Sequence, residues 1–147
     1  MRAEIVVQLA WCVRAAVGGL DEDELDDFLG LAAPGPADAR LVPGATGADD
    51  PLASILPPVR HLYLHALSLA GERGAKRLAE LAGERGLEVG LRGRALALAP
   101  WDRRLELAPR LFLDRAQAPE MRIHALAVLL ADSHPRAEEL CQGLLKE

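Results

Sequence analysis

The chain has no asparagine, a single threonine (Thr46), a single tyrosine (Tyr63), three serines, two cysteines and four histidines. These are the side chains on which nucleophilic and acid–base chemistry usually rests, and the few present lie in no recognised catalytic setting. Ser54, Ser68 and Ser133 stand in no GxSxG elbow, and neither Cys12 nor Cys141 has a basic neighbour in sequence to lower its pKa. No glycine-rich phosphate cradle, HExxH pair or CxxC pair occurs. With 3% aromatic residues there is no set of rings on which to stack a single nucleic-acid strand. No charge-free stretch approaches the 18 or so residues of a membrane span. The chain therefore reads as non-enzymatic, with no cofactor implied.

What fills the space is 28 Leu and 26 Ala among 147 residues, the two strongest apolar helix formers. A compact chain of this length buries roughly 68–70% of its unfolded surface, enough for one independent core. The expected fold is mostly α: a single-domain helical bundle or short α-solenoid of about six to seven helices over residues 1–147. Trp11, Phe28, Trp101 and Phe112 are the expected large core pieces. Cys12 and Cys141 lie far apart inside apolar helical patterns, which reads as reduced core thiols and a cytoplasmic protein. Residues 3–17 begin like a signal peptide, but Glu4 and Arg14 interrupt the apolar run, so the segment is read as a buried first helix.

Gly18-Gly19 ends that helix, and Asp21 with Glu24 three positions on has the form of a capping box. Calcium would also suit the run from Asp21 to Asp27, but Asp26 stands where an EF-hand loop needs glycine. Proline and glycine mark residues 33–51 as a loop. A helix from about Pro58 to Ala70 is expected to bury Val59, Leu62, Tyr63, Ala66, Leu69 and Ala70, and the helix over 75–86 to bury Ala75, Leu78, Ala79 and Ala82. Residues 87–98 fit a small β-hairpin, with Arg92-Gly93 as its turn, and fit a glycine-weakened helix almost as well. Helices near 101–115, 119–132 and 135–146 follow, with Pro109 bending or splitting the first.

Three resemblances attach to particular residues. Val59-Arg60-x-x-Tyr63-x-x-Ala66-Leu67 and Met121-Arg122-x-x-Ala125-x-x-Val128-Leu129 share one pattern, and together with Leu111, Leu113 and Asp114 this resembles the second helix of a HEAT-type repeat and the turn before it. It covers about a third of the chain and implies an α-helical stack that binds other proteins, although 62 residues is not one HEAT period of about 40–47. Ala16-Val17-Gly18…Glu24 and Ala131-Asp132-Ser133…Glu139 are similar to the paired Ala-Asp-Gly…Glu segments of TerB-like domains, which implies a stress-associated metal-binding protein. Val17 and Ser133 depart from that pattern, so no metal ligands carry over. The helix over 75–86 with a hairpin bearing Arg92 and Arg94 resembles a winged helix, which implies DNA binding through Arg77, Arg92 and Arg94.

His61 and His65, spaced i, i+4 with Glu72 beyond, are the weak metal candidates. Charge is the clearest asymmetry: residues 1–58 carry net −7 and residues 59–147 net +2. The favoured reading is a protein–protein interaction or adaptor domain whose surfaces of opposite charge meet another protein or a second copy. Arg73, Lys76, Arg77 and Arg85 form its expected basic side, and Asp23, Asp26 and Asp27 its acidic side.

Overall fold

The expected capping box forms. Asp21 Oδ1 accepts from the Glu24 backbone N–H at 2.8 Å, the Glu24 carboxylate reaches back to the Asp21 N–H at 3.5 Å, and helix α2 (Glu22–Gly30) starts there. The computed structural model describes residues 3–31 and 50–146, so all but Asp50 and Pro51 of the expected loop lies outside the described residues. Before α2 comes α1 (Ala3–Ala16). After it come a 3₁₀ turn (Pro57–Val59) leading into α3 (Arg60–Ser68), then α4 (Gly71–Gly83), α5 (Val89–Leu98), α6 (Trp101–Leu113), α7 (Pro119–Ala131) and α8 (Ala137–Leu145).

The fold is all-α, with no strand among the described residues. The possible hairpin at 87–98 is therefore corrected to α5, the helical alternative. Its alternation of residues comes from Gly90 and Gly93 in a helix that buries Leu91, Arg92, Ala95 and Leu96. Gly93 is a packing position: a Cβ there would lie 2.6 Å from the His124 ring on α7. At Gly74 a Cβ would overlap the Leu67 carbonyl, so glycine lets α4 close against the end of α3.

Helices α1, α3, α5 and α7 lie side by side in one layer. In the second layer α4 packs on α3 and α5, and α6 packs on α7 and touches α4. One apolar cluster runs through both layers from Cys12 to Leu140. Leu64, Leu67, Leu78, Leu81 and Leu96 are fully enclosed in it, each worth about 1.5–3 kcal/mol of burial.

Several expected faces shift. Trp101 is 57% exposed and Trp11 only partly buried, while Phe28 and Phe112 are core as expected. Val59 is buried just before α3, and on α3 the buried set is Arg60, Tyr63, Leu64, Ala66 and Leu67; Leu62 and Leu69 face outward because α3 packs against α1, α4 and α5 along another stripe. Helix α1 buries only Cys12 and Ala15, so the buried first helix is corrected to an edge helix exposing Val6, Val7, Val13 and Val17.

Pro109 sits inside an unbroken α6. It has no N–H to offer the Leu105 carbonyl one turn back, and His134 Nε2 bonds that oxygen instead at 3.1 Å. His134 Nδ1 accepts the Arg136 backbone N–H at 3.0 Å, which leaves Nε2 as the nitrogen that donates to Leu105. The proline thus supplies the anchor for the chain entering α8.

Candidate protein interface

Three arginines follow an apolar residue near the start of α3, α5 and α7, and each turns back to a main-chain oxygen. Arg60 Nε donates to the Ile55 carbonyl at 3.0 Å, Arg92 Nε to Ala82 at 3.1 Å and Arg122 Nε to Phe112 at 2.7 Å. For Arg92 and Arg122 the acceptor lies ten residues back in both cases. They stand thirty residues apart, and Arg60 a further thirty-two before, so the sequence echo at 62 residues spans two steps with Leu91-Arg92 between its ends.

The ion pairs step along in the same way. On α4, Arg73 pairs with Asp26 of α2; thirty residues on, Arg103 of α6 meets Glu72 of α4 at 2.6 Å. Beyond α4, Arg85 reaches Asp114, the residue after α6, at 3.2 Å. The Asp114 carboxylate is held below the usual carboxylate range, first by the Ala116 backbone N–H at 2.9 Å, then by Gln117 and by Arg85. Gln117 completes the seal by accepting from Arg92 Nη2 at 2.8 Å. Arg92 is 3% exposed, and its proton affinity is lowered by that burial and by the Arg85 charge, with Glu84 opposing.

One step further the sequence has no second Asp-x-x-Gln turn. Phe112, Leu113, Arg115 and Arg122, equivalent to Ala82, Gly83, Arg85 and Arg92, open onto a groove of about 440 Å³. Its far wall is α8 with Leu140 and Gly143. Arg136 and Lys146 add to its positive rim, and Glu139, 3.5 Å from Arg136, is its one carboxylate among the described residues. The Arg122 guanidinium lies 5.5 Å from the Phe112 ring centre. At the other end of the layer, Ala3, Val6, Ala10, Val13 and Val17 form an exposed stripe on α1 at alternating three- and four-residue spacing.

The residues singled out from sequence are only partly brought together. Arg73, Lys76 and Arg77 line a shallow cavity of about 220 Å³ with Leu29 and Glu80, and Arg85 stands apart at the end of α4. Asp23 and Asp27 are exposed on α2, whereas Asp26 is tied to Arg73 and Arg77 to Glu80 at 2.6 Å. Among the described residues, Arg73–Asp26 and Arg60–Asp50, the latter at 3.2 Å, join the acidic and basic halves within one molecule. His65 contacts Arg94 and Glu72 pairs with Arg103, while no group of three potential metal-ligating side chains gathers among the described residues. Of the residues assigned to a winged helix, Arg92 is buried and holds α4, α5 and the α6–α7 turn together, and the wing itself is helix α5.

The two TerB-like segments share a helix-ending turn. Gly18 and Ser133 have φ of 71° and 50°, and the N–H of Gly19 and of His134 each bond a carbonyl five residues back. Glu24 is engaged by Arg14 at 2.6 Å and Asp132 by Arg104 at 2.7 Å. Arg115, Arg136 and Lys146 escaped sequence reasoning. The thirty-residue offset from Arg85 is a signal for Arg115 alone; Arg136 and Lys146 have none. No family model, no curated protein and no solved structure matches this chain.

Proposed function

We propose that this chain is a non-enzymatic protein-binding domain, and that its α6–α8 end makes the principal contact with another protein or with a second copy. The observation that carries this reading is the groove there: an apolar floor from Phe112, Leu113 and Leu140, with four cationic side chains around it to one carboxylate among the described residues. Apolar surface supplies affinity, and the charged rim supplies orientation and rate of encounter. Arg73, Arg77 and Arg85, the basic contact expected from sequence, each have an acidic partner within the chain, and the groove adds an apolar floor. The HEAT-type resemblance agrees with a stack of helices used for binding. A cytoplasmic setting agrees with the free thiols of Cys12 and Cys141. No helix among the described residues is long and apolar enough to cross a membrane.

The test is quantitative retention of proteins from a cell extract on the immobilised full chain and on the variant carrying Arg115→Glu and Arg136→Glu, at low and high salt. The reading expects partners held by the native chain at low salt, and lost both from the variant and at high salt. The same proteins on both baits, or native mass spectra in which the chain retains nucleic acid or a metal instead, would overturn it.

A further inference from the structure

Helix α1 carries more apolar surface than its described neighbours cover. Of its 14 residues only Glu4, Gln8 and Arg14 are polar, and Gln8 turns inward, donating to the Ser54 carbonyl and accepting the Leu56 N–H, both at 3.0 Å. A helix apolar on every side belongs between others. Yet α1 ends its layer, and its outward face leaves Val6, Val7, Val13 and, just beyond the helix, Val17 each more than half exposed, with Ala3 and Ala10 exposed among them. Beside this face Val7, Trp11 and Leu31 line a cavity of about 280 Å³ together with Gln8 and Asp27.

The exposed positions are disposed symmetrically about Ala10: residue 3 balances 17, residue 6 balances 14 and residue 7 balances 13. Such a face is complementary to itself when turned through half a circle, which is the requirement of a two-fold contact. From this symmetry we infer that α1 joins two copies of this chain, the helices lying antiparallel and crossing at Ala10. Val7 of each copy then comes level with Val13 of the other at the mouth of the cavity, and Ala3 with Val17. Alanine at the crossing lets the backbones approach closely. Glu4, in the first turn, lies about 3 Å along the axis from the second copy's Arg14 in the last turn, whereas a parallel pair would bring like charges and like helix ends together. Arg14 already pairs with Glu24 at 2.6 Å, so the charges set the direction of pairing and the valines supply the affinity. One pair of helices about 21 Å long buries less than the roughly 800 Å² per partner of a standard stable interface, so the dimer forms in a concentration-dependent way. The contact lies at the opposite end of the layer from the α6–α8 groove and is independent of it.

The experiment is sedimentation velocity of the full chain from micromolar to near-millimolar concentration. The mass should rise from 15.8 kDa toward twice that value. Val13→Glu, which alters an exposed side chain, should weaken the association about tenfold with far-UV circular dichroism unchanged. In a chain carrying Cys141→Ser, Ala10→Cys should form an intermolecular disulfide under mild oxidation, because the two positions meet at the axis. Val17→Cys should not, since its two copies lie about 21 Å apart along the helices. The proposal is overturned by a chain that stays monomeric at the highest concentration, by association indifferent to Val13→Glu, by equal cross-linking at the two positions, or by a dimer abolished instead by Arg115→Glu and Arg136→Glu. Binding to phosphatidylcholine vesicles by a chain that is monomeric in solution would assign the face to a lipid surface and overturn it as well.

Discussion

Arg92 and Arg122 make the same bond to the same kind of carbonyl, yet one is sealed and the other faces a groove. Around Arg92 the next turn of the chain supplies Gln117, and the guanidinium is 3% exposed. Beside Arg122 there is α8, anchored through His134 and leaving about 440 Å³ between the helices. The contrast teaches how one arginine–carbonyl bond can be closed over by a following turn in one place and border a cavity in another. Around Arg92 the α6–α7 turn covers the preceding helix, and beside Arg122 that place is taken by α8.

Removing the two arginines separates these roles most strongly. Arg92→Met leaves the Ala82 carbonyl and the Gln117 amide oxygen buried without their donor, so it should cost about 3 kcal/mol in urea unfolding. Arg122→Met deprives one carbonyl at a more open place and should cost about 1 kcal/mol. Equal costs would erase the distinction between sealed and open units.

The glycines sharpen the comparison at the next level of effect. Gly74→Ala drives a methyl into the Leu67 backbone carbonyl, which cannot turn aside, and should lose about 2 kcal/mol. Gly93→Ala meets the ring of exposed His124, which can rotate away, so the loss should be below about 1 kcal/mol. Thermal unfolding of the two variants side by side orders them.

Acid should act on the seal between units. Since the Asp114 carboxyl is held below its ordinary value in the fold, its contribution is fully present above the unfolded carboxylate range. It is lost as pH falls through the lowered folded value. Asp114→Asn should flatten the acid limb of the stability profile, measured by urea midpoints between pH 6 and acid; an unchanged limb would remove Asp114 from the seal. The mildest test is thiol labelling. Cys12 is 2% exposed, and burial pushes its thiol up to about 11, so a thiolate-selective reagent should modify half-buried Cys141 first and reach Cys12 only on unfolding. Faster modification of Cys12 would contradict the packing of α1.

The helices were legible because Leu and Ala recur at helical spacing, and α2 was legible to its cap because Asp21 and Glu24 mark it chemically. The α5 segment was ambiguous because Gly90 and Gly93 weaken the helical pattern locally, while the reason for Gly93 lies on α7, thirty-one residues away at His124. The same glycines disguised Leu91-Arg92 as part of a turn and hid the middle member of the repeat. Charge could be counted from the sequence but not assigned, because whether Arg73 serves a partner or Asp26 depends on how α2 meets α4. The groove residues gave no signal one at a time. Arg115, Arg136 and Lys146 are ordinary surface cations until the thirty-residue offset places the first of them where Arg85 stands one unit earlier.

The most direct test of this account is to build the missing neighbour. Residues 101–130 duplicated in tandem, ahead of the native α8, place a second Asp-x-x-Gln turn over Arg115 and Arg122 of the first copy. The account predicts that Arg122→Met in that first copy then becomes about as costly as Arg92→Met is in the native chain, roughly 3 kcal/mol in urea unfolding. If its cost stays near that of Arg122→Met in the native chain, the two units are not equivalent.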